Sequence, residues 1–125
     1  MATKEDLIRV FENTEKMYQE NERLKGAIKS SVEGTRFYPE EKTPDISAPR
    51  YEKTVISVQK YRTLETAQFY HRKYPEARIA AHNFASATNP GGGVRKGSRA
   101  QEEAICRCST LLPILESPGK QAAVL

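Results

Sequence analysis

Three consecutive glycines, Gly91-Gly92-Gly93, stand seven residues before Gln101-Glu102-Glu103, and this pairing constrains the chain more than any other feature. Glycine admits positive φ and lets a neighbour approach where a Cβ would otherwise stand. The triplet lies in a loop, 86–97, that also holds the breaker pair Asn89-Pro90. Ahead of it, residues 78–84 (RIAAHNF) make a short, mostly apolar run suited to a buried strand. Behind it, Ser98-x-x-Gln101 fits a capping box with Ser98 as N-cap. Ile105, Cys108, Leu112 and Leu115 then recur at helical spacing, with Pro113 ending or kinking that helix. The unit reads as strand, glycine loop and helix, and N–H groups at such a helix start favour a phosphate or other anion.

Two nucleotide motifs match poorly in register. A P-loop runs Gly-Lys-Ser/Thr, whereas this chain has Lys96-Gly97-Ser98. A dinucleotide fingerprint runs Gly-x-Gly-x-x-Gly, whereas Gly91, Gly93 and Gly97 are one residue too widely spaced, and no acidic residue closes a second strand about 20 residues on. The plain alternative is a glycine-rich connection with no ligand. The two carboxylates at fixed distance lift the stretch above it.

Glycine triplet, spacer and Gln-Glu-Glu together resemble the signature of poly(ADP-ribose) glycohydrolases. The flanks, Asn83-Phe84-Ala85-Ser86-Ala87 with Asn89-Pro90 and Ala104-Ile105-Cys106-Arg107-Cys108-Ser109, resemble the microbial-type branch. The likeness is close over 54–112. It implies Glu103 as general acid that later activates water, and Glu102 as the holder of ribose hydroxyls. It implies a substrate site formed by Gly91, Gly92 and Gly93 around the diphosphate and ribose, with Asn83, Asn89, Val94 and Gln101 shaping it. The substrate implied is poly(ADP-ribose) or an ADP-ribosylated protein, with no cofactor and no metal. Neighbouring helix positions diverge by about 100°, so Glu102 and Glu103 take unequal roles rather than forming a symmetric pair.

Lys and Arg number 20 against 16 Asp and Glu, a net +4 spread along 125 residues. Such a mild excess suits a polyanion without choosing one, and the resemblance implies no direct nucleic-acid binding. Cys106 and Cys108 stand at i, i+2 and point to different faces of a helix, poor geometry for a disulfide or a shared metal. Cys108 falls on the core stripe and Cys106 has no assigned role. His71 and His82 stand alone, without metal-ligand spacing. No apolar run suits a membrane span and no secretory signal opens the chain, so a cytoplasmic protein is expected, or a nuclear one in a eukaryote.

Taken in order, 3–28 reads as one amphipathic helix capped by Thr3-x-x-Asp6, with Leu7, Val10, Phe11, Met17, Tyr18, Leu24 and Ile28 on its apolar face. Residues 30–34 read as a loop, 35–38 as a short strand and 40–50 as a proline-containing connection. Residues 53–59 (KTVISVQ) alternate and are β-branched, a strand. Residues 62–74 read as a helix with Thr63 as N-cap, and 117–125 as a frayed tail.

Strand, helix and strand predict a right-handed βαβ unit with the glycine loop at a strand's carboxyl end. The expected fold class is α/β. It is a partial, macrodomain-like three-layer fold with an N-terminal helix and an incomplete sheet, divided as helical extension 1–34, core 35–116 and tail 117–125. The resemblance covers only the N-terminal half of the family's domain. An open sheet edge of this kind invites a second copy, so a homo-oligomer is expected. Two other functions compete with hydrolysis: a non-catalytic ADP-ribose-binding module, and an inactive truncated fragment that self-associates.

Overall fold

In the computed structural model, which describes residues 1–39, 41–42 and 44–117, the regular structure is helical. Thr3 starts α1, Lys4–Glu20, by the expected capping box: Thr3 Oγ1 accepts from the Asp6 N–H at 3.1 Å, and Asp6 Oδ2 accepts from the Thr3 N–H at 2.8 Å. The single helix expected over 3–28 is two. Asn21 ends α1, its N–H donating to Met17 O at 2.9 Å, and starts α2, Glu22–Gly34, its Oδ1 accepting from the Leu24 N–H at 3.1 Å. One asparagine thus satisfies orphan groups of both termini while its ψ of 118° turns the chain out of the helix. The loop expected at 30–34 belongs to α2, and 35–38 forms no strand.

The chain divides into two compact units, Met1–Thr35 with His82–Leu125, and Arg36–Ala81. The second holds α3, Thr63–Lys73, close to the predicted span. Its N-cap is Arg62 rather than Thr63, with Glu65 Oε2 accepting from the Arg62 N–H at 3.0 Å. Tyr61, Phe69, Tyr70 and Tyr74 form a row of ring contacts with centroids 5.2–6.3 Å apart.

The α/β expectation is overturned: among the described residues there is no strand, no sheet and no βαβ unit. Residues 53–59 and 78–84 carry no regular structure, and Val55, Ile56 and Val58 are 82%, 88% and 95% exposed. Alternation and β-branching describe a side chain's fit to a pleated surface. A strand also needs a ladder partner, which local pattern cannot supply.

In the first unit, α1 packs on a 3₁₀ turn, Val94–Lys96, and on α4, Gln101–Arg107, while α2 packs on α5, Leu111–Leu115. The core cluster is Phe11, Val94, Cys106 and Leu112. The expected apolar face of α1 is only partly used: Phe11 and Tyr18 are buried, Val10 and Met17 exposed. Arg95 stacks over the Phe11 ring at 5.1 Å and pairs with Glu15 at 2.7 Å and Glu116 at 3.5 Å, registering the turn on α1 and the end of α5. With so few core residues, Phe11→Ala is expected to cost about 3–5 kcal/mol. A drop in the urea midpoint of this unit is the measurement.

The helix expected from Ser98 begins at Gln101, with Ala100 as N-cap. Gly97, at φ +73°, keeps Ser98 in the loop, where the Ser98 N–H donates to Gly93 O at 3.1 Å and Ser98 O accepts from the Arg107 guanidinium at 2.5 Å. A break follows at Cys108, so Pro113 lies in the first turn of α5, where its missing N–H has no intrahelical partner to lose. That break also reverses the cysteines. Cys106 is fully buried in the core and Cys108 exposed, because the stripe's phase restarts where α4 ends. Of the expected tail, 117–125, Ser117 is a bend and 118–125 lie outside the described residues. Among the described residues no helix is long and apolar enough to cross a membrane.

Candidate active site

The glycine loop folds back over the first turn of α4, and the Gln-Glu-Glu side chains meet its backbone. Gly91 N–H donates to Glu102 Oε1 at 2.9 Å, and Ser86 N–H donates to Glu102 Oε2 at 2.7 Å. Gly93 N–H donates to Glu103 Oε1 at 3.0 Å. Gln101 holds the approach to the loop: its Oε1 accepts from the Phe84 N–H and its Nε2 donates to His82 O, each at 2.7 Å. Gln101 therefore bonds backbone groups at the end of the expected strand, while the two glutamates hold the loop that follows it.

Glu102 and Glu103 are 3% and 7% exposed. Buried carboxylates demand compensation, and here it comes from backbone N–H groups, which bind an ionised acceptor more strongly than a neutral one. The two are not equivalent. Glu102 uses both oxygens on the loop, whereas Glu103 Oε2 takes no hydrogen bond from the described residues. The asymmetry expected from helical geometry is thus visible in the partners.

The triplet is demanded at each position. Gly91 and Gly92 have φ of +75° and +56°. A Cβ on Gly91 would strike Leu112 Cδ1, and one on Gly93 would strike Ser98 Oγ. A Cβ on Gly92 would lie 2.5 Å from Glu103 Oε1. Gly92→Ala is therefore expected to cost about 1–2 kcal/mol from the left-handed backbone alone, and to push the Glu103 carboxylate off the Gly93 N–H. Thermal melting reads the first effect and amide chemical shifts of Gly93 the second.

The N–H groups expected to cradle an anion are turned inward. Those of Gly91 and Gly93 serve the two glutamates, and that of Gly92 donates to Asn89 O at 2.9 Å. Asn89 itself is exposed, its N–H donating to Ser86 Oγ at 3.2 Å. Val94, expected at the substrate, is 2% exposed and puts its side chain into the core. Asn83 Oδ1 is buried with no hydrogen-bond partner among the described residues.

Sequence reasoning missed three participants. Ser86 contributes through its main chain, which no side-chain motif announces. Arg107, 7% exposed, ties the far end of α4 to Ser98 and so closes the loop from behind; a buried arginine two residues short of a serine carried no signal. Cys106 lies under the loop, its Sγ within 3.6 Å of where a Gly91 Cβ would stand. Its thiol is pushed up to about 12, first by burial and then by the charges of Glu102 and Glu103. A thiol so disposed is no nucleophile. Iodoacetamide at mildly alkaline pH is expected to modify Cys108 and spare Cys106 until the chain is unfolded, as read by peptide mass spectrometry.

A family model described as microbial-type PARG, catalytic domain, matches residues 5–123. No curated protein and no solved structure matches the chain.

Proposed function

This chain belongs to the microbial-type poly(ADP-ribose) glycohydrolase catalytic-domain family, and from that premise we propose that it hydrolyses the ribose–ribose glycosidic bonds of poly(ADP-ribose), releasing ADP-ribose. The observation that carries this reading is the meeting of two buried glutamates with the backbone of a glycine triplet. Cleavage of a glycosidic bond needs a proton on the leaving oxygen and stabilisation of an oxocarbenium-like carbon, which water then attacks. Glu103 is the proton donor, through the oxygen its loop leaves free, and the resulting carboxylate takes a proton from the incoming water. Glu102, whose oxygens each keep a second lone pair, accepts ribose hydroxyls while it holds the loop. Ribose and diphosphate lie along the outer side of Gly91, Gly92 and Gly93, whose Cα faces turn inward to Leu112, Glu103 and Ser98. Asn83 Oδ1, an unsatisfied buried acceptor, takes a ribose hydroxyl.

The test is incubation of this chain with poly(ADP-ribose), with chromatographic detection of ADP-ribose, alongside calorimetric titration of ADP-ribose. Release supports hydrolysis. Binding without release assigns the chain to a reader of ADP-ribose, and neither result removes both activities from this chain.

A further inference from the structure

On the reading of Glu103 as proton donor, on which this inference rests, we propose that its carboxylate is aimed by a positioning residue, Ser98, which Arg107 locks from behind. Ser98 seats Gly93, and Gly93 in turn holds Glu103. The three glycines are not required for the same reason. Gly91 and Gly92 stand at φ +75° and +56°, where the backbone itself favours glycine. Gly93 has φ −98° and ψ 27°, which other residues also adopt in turns. Its missing Cβ is therefore a question of space, and Ser98 takes the space. Ser98 does not cap α4, and its Oγ makes no hydrogen bond among the described residues. That hydroxyl lies instead where a Gly93 Cβ would stand, with Ser98 Cβ 3.0 Å and Glu103 Oε1 3.8 Å from the same point.

Main-chain bonds fix Ser98 in that place. Its N–H donates to Gly93 O at 3.1 Å, and its carbonyl accepts from Arg107 Nη1 at 2.5 Å. The hydroxyl could turn aside from a larger residue at 93, but Ser98 Cβ is tied by both bonds. Gly93 is thus gripped at its carbonyl and its Cα face, and it presents its N–H to Glu103 Oε1 at 3.0 Å. Arg107 is the anchor. The buried charged residues among those described are Glu102, Glu103 and Arg107, all on α4. Yet Arg107 makes no ion pair among the described residues, and its guanidinium bonds Ser98 alone. A buried cation without a carboxylate is costly, but its bond to a carbonyl is stronger than a neutral one, and the end of a helix favours its charge. Thr14 on α1 fixes the main chain of the same residue, its Oγ1 donating to Arg107 O at 2.5 Å. Glu102 has no share in this grip, since it holds Ser86 and Gly91. The loop is held in two halves, one for each glutamate.

Amide hydrogen exchange, followed by NMR on the full chain, reads the two halves separately. Arg107→Met removes the donor without stranding a charge. It is expected to speed exchange at Gly93 by about tenfold, the worth of one hydrogen bond, and to leave Gly91 within about twofold. Arg107→Lys keeps a charged donor and is expected to recover most of that loss. Turnover on poly(ADP-ribose) is expected to follow Gly93: kcat falls about tenfold in Arg107→Met while KM stays within about twofold, because a misaimed Glu103 slows the chemical step and leaves binding alone. A double-variant cycle tests the seat without Arg107 and without catalysis. Gly93→Ala is expected to lower the melting temperature of the unaltered chain and to change it little in a Ser98→Gly background, where both crowding atoms are gone, because residues that meet at one point are not additive. A parent chain that releases no ADP-ribose removes the proposed reaction, and the exchange and melting results then decide the seat. Exchange that speeds equally at Gly91 and Gly93 overturns the inference, as a merely structural role for Arg107 would produce. Gly93→Ala equally damaging in both backgrounds overturns it too, and so does turnover in Arg107→Met that falls only with the folded fraction.

Discussion

Glu103→Gln is expected to lower the release of ADP-ribose by about 10²–10⁴-fold, the usual contribution of a positioned general acid, while the fold and ADP-ribose binding persist. The reason for that separation is in the hydrogen bonding. Glu103 engages the loop through one oxygen only, with Gly93 N–H on Oε1 at 3.0 Å. A glutamine oriented with its carbonyl oxygen at that position keeps this bond, and its amide nitrogen falls where the other oxygen was free. What is lost is the proton that the carboxyl can deliver. Turnover on the polymer, set beside an unchanged melting temperature and an unchanged calorimetric affinity for ADP-ribose, is the measurement. A variant that keeps full turnover would remove Glu103 from the chemistry.

The neighbouring substitution is expected to behave otherwise. Glu102→Gln is a comparably small change, yet Glu102 accepts at both oxygens, from Gly91 N–H at 2.9 Å and from Ser86 N–H at 2.7 Å. An amide has one acceptor and one donor, so whichever way it turns, an NH₂ group faces a buried N–H. One bond becomes donor against donor, and the other drops from charge-assisted to neutral. Together these are expected to cost about 2–4 kcal/mol. The damage is structural first: a lowered urea midpoint, faster amide exchange at Gly91 and Ser86, and weakened ADP-ribose binding as the loop loosens. A Glu102→Gln protein as stable as its parent would show that these two bonds do not hold the loop. The two variants thus test the proposed catalytic role of Glu103 against the positioning role of Glu102 by stability, without relying on activity alone.

The contrast between Glu102 and Glu103 also marks how far the sequence carries. That two adjacent carboxylates on a helix must take unequal roles follows from 3.6 residues per turn. Which of them is tied down by the loop does not. It depends on the path of residues 86–93, where Gly91 and Gly92 at positive φ leave the N–H groups of Gly91 and Gly93 directed at α4. Similarly, the glycine triplet announces close approach, but the atoms that approach are Leu112, Glu103 and Ser98 of the same chain.

What the sequence by itself determined is local. Thr3 and Asp6 lie three apart and close a capping box whatever the rest does. α3 forms where helical spacing and Pro75 bracket it. Both depend on bonds between residues a few positions apart. The family, too, is legible in the spacing of the glycine triplet and Gln-Glu-Glu.

What only the tertiary structure decided is everything that needs a distant partner. Residues 53–59 and 78–84 have the composition of strands, yet a strand exists only when another backbone pairs with it, and among the described residues neither segment is paired. The start of α4 moved from Ser98 to Gln101 because Gly97 packs against the backbone of Lys4, nearly a hundred residues away in sequence. With α4 ending at Cys108, the apolar stripe restarted, and Cys106 rather than Cys108 entered the core beside Phe11. Periodicity tells which residues share a face of one element. It does not tell where that element stops or what it meets, because those are set by contacts whose free energy is shared with other parts of the chain.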